Sequence, residues 1–152
     1  PAGRVIGAPV ELLDIYPTLV ELAGFTAPAG LEGRSLVSLM RGASERRPRP
    51  ARTMVYHYDT ATKRDVLSQT VVGVNWRYTE WNGGEAGREL YALAADPQEF
   101  NNRAADPAYE STLREAQADL KKSPEPKAAP ANRPRALAPS DEGESKKKRK
   151  KQ

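Results

Sequence analysis

Residues 69–81 read QTVVGVNWRYTEW, and these positions decide what kind of fold the chain makes. Two runs, Gln69 to Val74 and Arg77 to Trp81, are rich in β-branched and aromatic side chains that alternate with polar ones. Asn75-Trp76 separates them, so the stretch predicts a strand, a tight reversal and a second strand. Working outward, Thr53 to Tyr58 and Glu89 to Leu93 carry the same period of two. Asn82-Gly83-Gly84 supplies residues that tolerate positive φ in the next turn. Four short strands joined by short turns predict an antiparallel meander.

The flanking segments change period. Downstream, Asp106-Pro107 opens a helix, with Asp106 as cap and Pro107 at the first helical position. Tyr109, Leu113, Ala116 and Leu120 form one stripe expected to cover a face of the sheet, and Lys121 and Lys122 suit the negative end of the helix. Upstream, Pro9 to Ala23 puts Leu12, Ile15, Tyr16, Leu19, Val20 and Ala23 on one face and Glu11, Asp14, Thr18 and Glu21 on the other. Pro17 fits only within a first turn, so the regular helix is expected to start near Ile15, with Asp14 as cap and Gly24 as left-handed stop. This helix lacks an obvious partner in the chain, which suggests that its apolar face packs on something beyond it. Ser35 to Met40 reads as a short helix capped by Ser35 and stopped at Gly42. Arg41 to Arg52, with five arginines and two prolines, reads as a solvated linker.

The chain has 152 residues, 38% hydrophobic and 29% charged, with one His, no Cys and a net charge of +4. That suits one modest domain plus tails and excludes disulfides, Cys zinc sites and thiol nucleophiles. The charge is unevenly placed. Residues 123–152 hold nine Lys and Arg against four Asp and Glu, while residues 1–122 hold fifteen against sixteen. A uniformly basic nucleic-acid-binding domain is therefore disfavoured. The stretch after Lys122 has five prolines, no aromatic residue and only Leu137 as a large apolar side chain, so it is expected to be disordered. It ends in the block Lys146, Lys147, Lys148, Arg149, Lys150 and Lys151, which suits weak polyanion binding or mere solubility. No run approaches the roughly 18 apolar residues of a membrane span, and the first twenty residues lack a signal-peptide layout. The opening Pro1-Ala2-Gly3, without Met, is what a processed product or a piece of a longer chain would show.

Catalytic constellations are sparse. His57 suits a general base, a substrate ligand or a half-buried strand histidine, and without a second His or a Cys the last reading is the economical one. Asp96, Glu99, Asn101, Asn102 and Asp106 lie close together but lack the alternating spacing and mid-loop Gly of a calcium loop, and turn and cap chemistry explains them better. Gly30-Leu31-Glu32-Gly33-Arg34-Ser35 lacks the Lys and the spacing of a phosphate loop. Trp76, Arg77, Tyr78 and Trp81 alternate sides of a strand, which favours core packing over a nucleic-acid face.

Four segments in order resemble the C-terminal part of the sulfatases of the alkaline-phosphatase-like superfamily, iduronate-2-sulfatase-like members among them. They are Pro9 to Gly24 (PVELLDIYPTLVELAG), Gly30 to Leu39 (GLEGRSLVSL), Val72 to Trp81 (VGVNWRYTEW) and Glu89 to Asn102 (ELYALAADPQEFNN), the last similar to the family's ELYDLxxDPxExxN signature. The resemblance implies an α/β fold: residues 1–42 end the large domain, 43–52 link, 53–122 form a small antiparallel sheet with a closing helix, and 123–152 are the tail. It also implies a formylglycine from a C/S-x-P-x-R motif and a calcium ion, both carried upstream. Pro48-Arg49-Pro50-Ala51-Arg52 has proline at the nucleophile position and is assigned no role.

On this reading the chain alone has no catalytic residue, no metal ligand and no activity. The complete protein would hydrolyse sulfate esters, sulfated carbohydrate among them, with the upstream large domain as this region's partner. His57, Tyr58 and Arg64 are the candidate contacts to an anionic substrate. Exported, periplasmic or lysosomal placement is implied by the resemblance alone. The competing classes are a non-catalytic module whose basic tail binds polyanions and an inactive remnant.

Overall fold

A computed structural model describes residues 3, 5–43 and 48–124. The sheet holds β1 (Ala51–Asp59), β2 (Arg64–Val72), β3 (Trp76–Trp81) and β4 (Arg88–Ala92), paired antiparallel in the order β1-β2-β3-β4. This is the expected meander. The strands reach further than the local pattern indicated, because β1 and β2 continue as a ladder from Ala51↔Val72 to Asp59↔Arg64. Trp76 belongs to β3 rather than to the preceding turn. Gly73 N–H donates to the Trp76 carbonyl at 2.9 Å, and the indole lies against Gly73, where a Cβ would collide with the ring.

The register lines up Val71, Tyr78 and Leu90 across three strands on one face, each with 0% exposure. Onto this row packs α3 (Glu110–Leu120), whose Ala116 and Leu120 complete the core, with Leu113 and Tyr109 at its margin. The helix begins as anticipated: Asp106 accepts the Ala108 N–H at 3.0 Å, and Pro107 opens a 3₁₀ turn, Pro107–Tyr109, that leads into α3. The Tyr78 hydroxyl donates to Glu80 at 2.8 Å. Burial, and beyond it the Glu80 carboxylate, push its phenol above the ordinary value.

The upstream segment forms a 3₁₀ turn, Leu12–Asp14, then α1 (Ile15–Leu22) and α2 (Val37–Met40). Both helices end in the same six-residue motif. Phe25 N–H reaches the Val20 carbonyl and Gly24 N–H that of Glu21, while Ala43 N–H reaches Ser38 and Gly42 N–H reaches Leu39. The two glycines hold positive φ, as left-handed stops require. Ser35 accepts the Val37 N–H, so it caps a helix that starts two residues later than expected.

One expectation for this segment is corrected: Asp14 does not cap α1 through its carboxylate, because Arg34, Arg49 and the Glu11 amide claim that group. The apolar face of α1 finds no partner in the described chain, as the sequence suggests: Pro17 and Thr18 are buried with Asp14, whereas Leu12, Ile15, Tyr16, Leu19 and Leu22 are all more than half exposed.

Candidate functional site

The sheet end away from the β2–β3 turn holds the sequence's first candidate. His57 on β1 is exposed and pairs in register with Val66, and its Nε2 lies 3.1 Å from Ser68 Oγ. Ser68 Oγ in turn donates to the Val55 carbonyl at 3.2 Å. This is a cross-strand link on a sheet face. An open groove of about 560 Å³ runs from His57, Tyr58 and Asp59 across Trp81 to Arg88, Glu89 and Asn102. Arg64, the third candidate, pairs with Asp59 at the β1–β2 tip and does not line the groove. His57 and Tyr58 both border the groove, but as neighbours on β1 they project to opposite faces of the sheet, and Arg64 stands apart.

Arg88 was missed from sequence, and Trp81 was read there as a core aromatic, although a signal existed. They flank the Asn82-Gly83-Gly84 turn, and a hairpin there returns Arg88 beside the end of β3. Chemically the groove offers an imidazole for an anion, Asp59 and Glu89 as acceptors for hydroxyls, and an indole beside them, all on one face of the sheet, whereas Arg88 pairs in register with Glu80 on the α3 face and lays its guanidinium beside Gly84. Asp59 accepts from Ala61 N–H at 2.9 Å and Thr62 Oγ1 at 2.7 Å. The Thr62 bond and then the Ala61 bond hold its pKa below the ordinary value. It stays an anion at neutral pH.

A second polar cluster joins the upstream segment to the sheet. Asp14, 1% exposed, accepts from Glu11 N–H at 3.0 Å, Arg34 N–H at 2.8 Å and Arg49 Nη2 at 2.9 Å. Arg49 also reaches Glu11 at 2.7 Å and the Glu32 carbonyl at 3.2 Å. Glu11 accepts the Arg52 N–H at 2.7 Å. The Thr18 hydroxyl donates to the Asp14 carbonyl at 2.6 Å and accepts from Leu36 N–H at 2.9 Å. Burial alone would raise the Asp14 pKa, but the Arg34 and Glu11 amides and the Arg49 charge outweigh it and hold the group below its ordinary value. Arg49 therefore corrects the reading of Arg41 to Arg52 as a solvated linker. The Gly30–Ser35 loop also finds its role here, since Arg34 donates to Asp14 and Gly33 lies so close to the Leu13 carbonyl that no side chain fits.

The acidic stretch after β4 is spent on structure. Asp96 accepts from Phe100 N–H at 3.2 Å and Asn101 N–H at 2.8 Å. Glu99 pairs with Arg77, whose guanidinium stacks over Tyr91. Asn102 accepts from Leu90 N–H at 3.0 Å and Ala104 N–H at 2.9 Å and donates to the Arg88 carbonyl at 3.1 Å. The signature-like run thus fastens a loop along β4. Among the described residues no three His, Cys, Asp or Glu are grouped to hold a metal. Asp14 faces arginine and amide donors, which repel a cation, so these residues do not fit the calcium ion implied by the resemblance.

Comparison with known proteins places this architecture. The family model for N-sulphoglucosamine sulphohydrolase, C-terminal, matches residues 1–125, and the chain belongs to that family of sulfatase C-terminal regions. It is 36% identical over 110 residues to a Δ4,5-hexuronate-2-O-sulfatase of Bacteroides thetaiotaomicron, covering 71% of this chain and 22% of that protein. It is 35% identical over 123 residues to a sulfatase of Formosa agariphila, covering 81% and 22%. A solved 2-O GAG sulfatase superposes with a TM-score of 0.60 at 33% identity, over 71% of this chain and 23% of that one. The sheet with its helices is thus part of an alkaline-phosphatase-like sulfatase fold, and the chain spans about a fifth of the length of these curated relatives. No described helix is long and apolar enough to cross a membrane. The basic block Lys146–Lys151 lies outside the described residues.

Proposed function

We propose that this chain is the C-terminal portion of a sulfatase whose complete form hydrolyses sulfate esters of an anionic carbohydrate. The observation that carries the reading is the family match across residues 1–125, in relatives that include a hexuronate sulfatase. The nucleophile and cation implied by the resemblance belong, on this reading, to the preceding large domain, since the chain spans only about a fifth of its relatives' length. This portion contributes one wall. His57 orients an anionic group, Trp81 on the same face excludes water beside it, Glu89 accepts from hydroxyls, and Tyr58 borders the groove from the neighbouring strand position, as sites with a few placed polar groups commonly do. Arg64 acts only at a distance, drawing an anion toward the β1–β2 tip.

The experiment is release of inorganic sulfate from 2-O-sulfated uronic acid disaccharides. The product of the reading frame extended upstream of Pro1 is expected to release sulfate, and the 152-residue chain alone to release none. Sulfate release by the isolated chain, or a longer product that leaves every sulfate ester intact, overturns the reading.

A further inference from the structure

Ser68 is a buried hydroxyl, 8% exposed, on the sheet face opposite α3. By strand alternation and register it shares that face with His57, Asp59, Trp81 and Glu89. A hydroxyl has one hydrogen to give. That of Ser68 goes to the Val55 carbonyl at 3.2 Å, so what remains for His57 is a lone pair. The 3.1 Å contact between His57 Nε2 and Ser68 Oγ is therefore a bond in which the ring donates and the hydroxyl accepts. This decides which nitrogen carries the proton of the neutral imidazole, because the partner of one ring nitrogen fixes the role of the other. Nε2 holds it. Nδ1, with no partner among the described residues, is the ring atom left for a ligand.

We infer that Ser68 is a positioning residue: it holds the His57 ring by Nε2 and leaves Nδ1 to the groove, so that His57 grips an anion only as the imidazolium. This rests on the reading of the groove as the wall of an anion site and deepens it. In the neutral ring Nδ1 presents a lone pair, which accepts from a hydroxyl and repels a sulfate or carboxylate. The second proton enters at Nδ1, since Nε2 is already protonated, and so arrives at the atom that meets the ligand. The charged groups beside His57 on this face are Asp59 and Glu89, with Arg64 at the β1–β2 tip. Arg77, further along the face, is paired with Glu99, and Tyr58 and Arg88 border the groove from the other face. Carboxylates, phenols and guanidinium groups in general keep their charge state between about pH 5.5 and 8, where an imidazole changes its own. The wall thus accepts hydroxyls at neutral pH and gains a donor for an anion in mild acid. Ser68 acts through His57 and touches no ligand itself.

His57 is the only histidine of the chain, so its two ring nitrogens are read by nitrogen NMR without assignment. At about pH 8 the 152-residue chain is expected to show one tautomer, with Nε2 protonated, Nδ1 bare and the Nε2–H slow to exchange with water, as hydrogen-bonded protons are. Ser68→Ala is expected to speed that exchange at least about tenfold and to let the two tautomers mix. Ser68→Thr, which keeps the hydroxyl, is expected to restore the original pattern. Should Ser68→Ala fold poorly, Ser68→Val replaces it, since it matches the threonine in shape and lacks the hydroxyl. A neutral ring that carries its proton on Nδ1, or one that loss of the hydroxyl leaves unchanged, overturns the inference. An excess of 2-O-sulfated uronic acid disaccharide is then expected to move the Nδ1 signal at about pH 5.5 and to leave it in place at about pH 8. Movement at both, or at neither, overturns the inference. Sulfate release by the product extended upstream of Pro1 is scored separately. Release with a mixed ring removes the role of Ser68 and keeps the sulfatase reading, whereas a fixed ring that meets the disaccharide only in acid, without release, does the reverse.

Discussion

The two halves of this molecule are held by different physics. Residues 51–124 close around Val71, Tyr78, Leu90, Ala116 and Leu120, all nearly inaccessible, and owe their order to apolar burial. Residues 11–40 are held together by Asp14, Thr18 and backbone amides, are joined to the Arg49 guanidinium and the Arg52 amide that opens the sheet, and apart from Val37 and Leu39 leave most large apolar side chains exposed. A hydrophobic core is tolerant of direction and intolerant of lost volume, whereas a polar junction is the opposite. The contrast shows that amphipathicity alone does not say where a helix binds: α3 lays its apolar stripe on its own sheet, whereas α1 buries its polar side in its own chain and leaves its stripe exposed.

The comparison can be broken from either side. Leu90→Ala removes the centre of the row across three strands and should cost about 2–5 kcal/mol, the range for large-to-small core changes. Denaturant unfolding followed by tryptophan fluorescence is expected to show the whole body lost at lower concentration. Asp14→Ala leaves the Glu11 and Arg34 amides without their acceptor and Arg49 with only Glu11 and the Glu32 carbonyl. With Arg49 partly exposed, the loss should be about 1–3 kcal/mol. It should appear as hydrogen exchange of residues 12–39 with the sheet unchanged. An equal loss of protection in both halves would show that they are one cooperative unit.

Asp14 also sharpens the contrast through pH. Its folded pKa lies below the ordinary value of 3.8, so its contribution is fully present above that value and is lost as pH falls through the folded one. Protection of residues 12–39 is therefore expected to fall in acid, and Asp14→Asn to remove that pH dependence. Asn102→Ala, which deletes two accepted bonds and one donated bond at the β4 edge, should cost about 1 kcal/mol because the site is exposed, read as a small drop in midpoint. His57→Ala should move stability by less than about 0.5 kcal/mol, as surface changes do. In the longer product of the proposed sulfatase reading it should alter preference among sulfated saccharides, and an unchanged preference removes His57 from the groove's role.

Much of this fold was legible because its signals are local. The Asp106-Pro107 start, the stripe from Tyr109 to Leu120, the Asn82-Gly83-Gly84 turn and the glycine stops at 24 and 42 are set by backbone chemistry within a few residues. Strand ends were less legible, since Trp76 and Arg64 are strand residues only because a partner stands opposite. The face of α1 was legible as amphipathic, but periodicity carries no information about which body lies on which side. Least visible was the bond between Asp14 and Arg49, thirty-five positions apart, inside a stretch whose arginines and prolines look like a linker. Of the groove, His57 and Tyr58 could be named from residue type, whereas Arg88 and Trp81 required the hairpin to be closed first.

The side chain of Asn102 has one further consequence. An outer strand normally presents a row of unpaired amides and carbonyls on which another chain can grow. Here Asn102 and the Arg103 amide occupy both outward-facing groups of Leu90 and the carbonyl of Arg88, and at the opposite border Glu11 takes the outward amide of Arg52. A four-stranded sheet this short would otherwise be a template for fibril seeding or strand exchange. The β4 border is blunted from Arg88 to Leu90 and the β1 border at Arg52, which helps the chain keep an open meander without closing it into a barrel.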